Sequence, residues 1–170
     1  MAYNITIKKD LVIYHAEAAI RKVLDVRQQA GTLPGYHLQP DEDTGIDKEL
    51  IHRIIELRDA DVSTILAKYL GVFSTSEDDE LQAETANFEY ALEMPDSWPS
   101  SMLRPLTTYI HNYLVSGILY DYLKDKMPDI AQAYFPDVDN LKKSITDTLN
   151  IRQGIMKRPL QPFRQDYDEL

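Results

Sequence analysis

The sequence predicts a mainly α fold: a small bundle of about four helices with long irregular insertions and one short β hairpin or extended arm. Three observations carry this. Apolar residues recur at three- and four-residue spacing over several long stretches, proline and glycine gather between those stretches, and strict alternation is confined to two short segments. At 170 residues, 44% hydrophobic and 27% charged, the chain is the size of one globular domain with its own core. The expected organisation is a single helical domain over 1–150, carrying an exposed acidic arm at 74–99, followed by an extended tail at 151–170.

Tyr3, Ile5 and Ile7 alternate with Asn4, Thr6 and Lys8, the period of a short strand, although a frayed helical start fits nearly as well. From Asp10 the period turns helical: Val12, Ala16, Ala19, Ile20, Val23 and Leu24 share a stripe, and the helix is expected to run to Gln29 with Gly31 as its stop. Thr32 to Gly45, with Pro34, Gly35 and Pro40, reads as an irregular linker. Asp47 then offers a cap for a second helix. Its stripe, Leu50, Ile51, Ile54, Ile55, Val62, Ile65, Leu66 and Tyr69, is the clearest in the chain and is closed by Gly71.

No lysine or arginine lies between Lys68 and Arg104, whereas Glu77, Asp78, Asp79, Glu80, Glu84, Glu89, Glu93 and Asp96 are all acidic. Such a segment repels itself and is expected to be exposed. Within it Phe88, Tyr90, Leu92 and Met94 alternate with polar neighbours, giving a strand or arm with one apolar edge that wants a partner. After Pro99, Ser100 or Ser101 can cap a third helix whose face is Leu103, Leu106, Ile110, Tyr113, Leu114, Ile118 and Leu123, with Gly117 placed for close approach of another helix. Pro128 suits the first turn of a fourth helix and Pro136 interrupts it, so a short helix followed by a longer one is expected, the latter carrying Val138, Leu141, Ile145 and Leu149. In the last twenty residues the period is lost. Lys157, Arg158, Pro159, Pro162, Phe163 and Arg164 favour an extended tail.

Chemistry is harder to find. The absence of cysteine removes disulfides, thiolate metal sites and a thiol nucleophile. Of the four histidines, His15, His37, His52 and His111, no two have the i, i+4 spacing that presents paired ligands from one helix, so no metal site and no cofactor is expected. His15 and His52 read as helix-surface residues and His111 as a neighbour of the core. A calcium loop beginning at Asp41 would need glycine sixth and glutamate twelfth, where Ile46 and His52 stand. Glu77 to Glu80 reads as a solvated charge run. There is no phosphate-cradling glycine loop and no serine in a nucleophile elbow. Of the eleven tyrosines, Tyr109, Tyr113, Tyr120, Tyr122 and Tyr134 crowd the last helices, where core edges are the ordinary place for a ring with a polar tip and interfaces the alternative. A net charge of −10 opposes nucleic-acid binding. The start lacks a signal-peptide pattern and no apolar run approaches the roughly 20 residues of a spanning helix, so a cytosolic, non-membrane product is expected. The balance favours an assembly or binding protein over an enzyme.

Three passages resemble the head-tail connector (neck completion) family of tailed bacteriophages and prophages. They are a helix ending in a Tyr-Leu pair (Ile54 to Leu70), an irregular insertion with a proline before a helix (Gly71 to Pro99), and a Tyr-rich helix followed by another amphipathic one (Leu103 to Asn150). Together they cover roughly two thirds of the chain. The longer N-terminal helix and the proline-containing tail depart from the family's pattern. The resemblance implies a structural virion-assembly role, with neighbouring copies in a ring and portal or tail proteins as partners. Phe88, Tyr90, Leu92 and Met94 of the arm and Lys157, Arg158, Phe163 and Arg164 of the tail would then make the contacts. Two other readings stand beside it: a helical adaptor or regulatory module binding a protein partner, and an enzyme with an unrecognised acidic site.

Overall fold

The computed structural model describes residues 1–29, 46–71 and 87–152. The elements run β1 (Ala2–Ile7), α1 (Lys9–Gln29), α2 (Ile46–Leu66), β2 (Phe88–Glu93), a 3-10 turn (Ser100–Met102), α3 (Leu103–Lys124) and α4 (Pro128–Asn150). The result is a mainly α domain with one small antiparallel sheet. Among the described residues no helix is long and apolar enough to cross a membrane.

α3 is the axis. It packs against α4, α2, α1 and β1, and so its buried residues, Leu106, Ile110, Tyr113, Leu114, Gly117, Ile118, Leu119, Tyr122 and Leu123, occupy a wider arc than a one-sided surface helix needs. The other helices each give a single stripe to this core. Val12, Ala16, Ile20 and Leu24 come from α1, Ile51, Ile54, Ile55, Val62 and Leu66 from α2, and Ala131, Val138, Ile145 and Leu149 from α4.

β1 and β2 pair antiparallel with Tyr3 opposite Leu92, Ile5 opposite Tyr90 and Ile7 opposite Phe88, so the apolar positions of both strands meet on one face. The outer edge of β2 is also occupied. The Glu93 amide donates to the Tyr69 carbonyl at 2.6 Å and the Gly71 amide to the Ala91 carbonyl at 3.2 Å. This corrects the reading of the second helix as continuing to Gly71. It ends at Leu66, and Tyr69 to Gly71 turn out to flank the sheet, which satisfies backbone groups that a further helical turn would have withheld from it.

Two other expectations need correction. Pro136 does not divide the last helix: α4 is one helix of 23 residues with Pro136 inside it. The proline removes the bond to the Gln132 carbonyl, but Gln132 and Pro136 both lie on the exposed face, where water can take the place of the missing donor. Neither Ser100 nor Ser101 caps the third helix. Both fall in the 3-10 turn, and α3 starts from Met102 without a side-chain cap.

Candidate functional site

The polar groups of interest lie in three places, all built by packing elements distant in sequence. The first is where β2 crosses α2. Tyr90 is 4% exposed, and its hydroxyl donates to Asp59 Oδ1 at 2.5 Å. Burial raises the Asp59 carboxyl above its ordinary range, against the opposing effects of the Tyr90 hydrogen bond and the positive charge of Lys9. Burial, the Asp59 charge and the hydrogen bond to it push the Tyr90 hydroxyl far above its ordinary value. Beside the pair is a cavity of about 260 Å³, lined by Asp59, Ser63, Leu70, Asn87, Glu89 and the Phe88–Tyr90 strand. Lys9, itself buried at the first position of α1, completes an acid, a phenol and an ammonium in one neighbourhood.

This pair has a definite pH signature. Because the folded state raises the Asp59 pKa, folded protein holds that proton more readily than unfolded protein. The ionised carboxylate therefore costs stability above the folded pKa, and the cost vanishes below the ordinary value of about 4. Asp59→Asn keeps an acceptor for Tyr90 and removes the charge. It should be at least as stable as the parent at pH 7.5, with the advantage closing towards pH 4, in urea denaturation at each pH. Asp59→Leu strands the buried hydroxyl and should cost about 1–3 kcal/mol.

The second place joins α2 to α3. Arg58 donates through Nε to Asp121 Oδ2 at 2.7 Å and through Nη1 to the Tyr113 hydroxyl at 3.3 Å, while Lys124 Nζ holds Asp121 Oδ1 at 3.2 Å. The Arg58 and Asp121 side chains are 12% and 14% exposed. Burial works to lower the Arg58 pKa, but the Asp121 charge and the hydrogen bonds to Asp121 and Tyr113 outweigh it, leaving the value raised. Gly117 makes the contact possible, since a Cβ there would lie 2.8 Å from Arg58 Cδ and Nε. The sequence marks Gly117 as a point of close approach, and what approaches is this arginine.

The third place is at the junction of α1 and α3, where His15 Nδ1 and His111 Nε2 are 3.0 Å apart with ring planes at 89°. Burial and the neighbouring His15 lower the His111 pKa. Spacing along one helix could not reveal this pair, because its members are 96 residues apart. Among the described residues no group of three or more His, Asp or Glu side chains is arranged to hold a metal ion.

Of the residues expected to contact partners, Phe88, Tyr90, Leu92 and Met94 are 5%, 4%, 0% and 2% exposed and belong to the core, so the partner for their apolar edge is β1 and the bundle itself. Glu89 and Glu93 alternate with them and face outward. Lys157, Arg158, Phe163 and Arg164 lie outside the described residues, as do the acidic run Glu77 to Glu80, the linker Thr32 to Gly45 and His37. The tyrosines of α3 and α4 divide between core and core edge. Tyr113 and Tyr122 are buried, whereas Tyr109, Tyr120 and Tyr134 are half-buried, and the Tyr120 ring lies 5.7 Å from that of Phe135. No protein-family model, curated protein or solved structure shows significant similarity to the chain.

Proposed function

We propose that this chain is a structural assembly protein, a head-tail connector or neck subunit of a tailed bacteriophage or prophage, acting in the virion. The observation that carries a structural reading is the use made of its buried polar groups. Arg58 is spent on Asp121 and Tyr113, Tyr90 on Asp59, Tyr69 on Asn150 at 3.0 Å, and the Trp98 indole on the Thr148 carbonyl at 2.9 Å. Each tie joins parts of the chain far apart in sequence, which is what a rigid wedge in a ring requires. The connector family itself is supported by the sequence resemblance of the Ile54 to Leu70 passage, whose helix ends at Leu66, of the insertion and of the Tyr-rich helix pair.

In a ring each interface is heterologous, so unlike surfaces must meet. The outward Glu89 and Glu93, continuous in sequence with the acidic run from Glu77, supply one sign of charge, and Lys157, Arg158 and Arg164 supply the other. The test is the solution mass by light scattering on a sizing column, across a concentration range, for the full chain and for one ending at Gln153 or Met156. A ring-sized oligomer that grows with concentration, weakens with salt and disappears with the tail is the expected result. A strict monomer that forms a defined complex with a cellular protein would instead favour a helical adaptor.

A further inference from the structure

We propose that His15 and His111 form a two-imidazole binding site for a borderline divalent transition-metal ion of the Zn²⁺ class, bridging α1 and α3. The two nitrogens are already 3.0 Å apart. A metal about 2.0–2.1 Å from each, at a tetrahedral angle, needs them about 3.3 Å apart with each lone pair turned about 35° off the line between them, so the two rings must swing to aim at a common point while their nitrogens separate by only a few tenths of an ångström. His15 is exposed and His111 half-buried, which leaves the remaining coordination positions open to water. The two backbones that carry them are regular helix, so the ligands start close to their bound positions.

The protonation chemistry also fits. A metal-bound imidazole is neutral and carries its proton on the distal nitrogen. In the present pair one ring donates a proton to the other, so binding requires the donor ring to change tautomer, moving its N–H to the far nitrogen through solvent, with no net proton lost. Imidazole nitrogens select Zn²⁺ and its neighbours over Mg²⁺ and Ca²⁺, which take oxygen. A bound ion would clamp α1 to the bundle at the helix against which it chiefly packs. The site stands independently of the connector reading.

The experiment is calorimetric titration of the full chain with Zn²⁺ at pH 7.5 in excess Mg²⁺, which occupies the acidic surface, alongside His15→Gln, His111→Gln and His52→Gln, each checked for helical content by circular dichroism. Saturable binding by the parent and by His52→Gln, weakened at least about tenfold in both His15→Gln and His111→Gln, is the expected result. Absence of saturable binding by the parent would overturn the proposal. So would undiminished binding in either of those two variants, or an equal loss in His52→Gln.

Discussion

Trp98→Ala should cost about 3–5 kcal/mol, the largest loss expected from any single truncation in this protein. Trp98 is 2% exposed and stands where three parts of the chain meet. Its ring is edge-on to Tyr3 of β1 with centroids 5.3 Å apart, its indole N–H donates to the Thr148 carbonyl in the last turn of α4, and its own amide closes a turn onto the Pro95 carbonyl at 2.9 Å. Truncation removes the buried ring, leaves a cavity and loses the bond at the end of α4. Trp98→Phe separates these effects, because it keeps most of the ring and loses the hydrogen bond and some volume, so a loss of about 1–3 kcal/mol is expected. Urea denaturation monitored by circular dichroism gives both values. If the two variants lost the same amount, the hydrogen bond rather than the packing would dominate at this position.

The importance of Trp98 was not legible in the sequence, and the reason applies widely here. Periodicity states which face of a segment is apolar, so the stripes of α1 and α2 and the alternation of Tyr3 to Ile7 and Phe88 to Met94 could be read directly. It does not state what covers that face. Phe88, Tyr90, Leu92 and Met94 therefore read as an edge in want of a partner, when the partner is β1, far away in the sequence. The same gap hid His15 from His111 and Arg58 from Asp121, pairs that no local spacing connects. Pro136 misled for a different reason. The cost of a proline inside a helix depends on whether the freed carbonyl meets water, and that is decided by the helix's orientation on the bundle rather than by the proline itself.

Arg58 and Gly117 provide a test in which the sign of an effect should reverse. Arg58→Ala leaves Asp121 with Lys124 as its remaining ion-pair partner and removes the donor to Tyr113, and a loss of about 2–3 kcal/mol is expected, below the usual cost of breaking a fully buried pair because Lys124 stays. Gly117→Ala in the parent gains helix propensity worth about 0.5–1 kcal/mol but places a methyl group 2.8 Å from Arg58 Cδ and Nε. The guanidinium must then shift and its bonds to Asp121 and Tyr113 are strained, and a net loss of about 1–2 kcal/mol is expected because the disturbed pair outweighs the propensity gain. In the Arg58→Ala background nothing is left to displace, so the same Gly117→Ala should stabilise by about 0.5–1 kcal/mol. The double-mutant cycle measured by urea denaturation therefore isolates the contact between the two helices. Additive effects, with Gly117→Ala stabilising in both backgrounds, would mean that Arg58 yields to the methyl group at no cost.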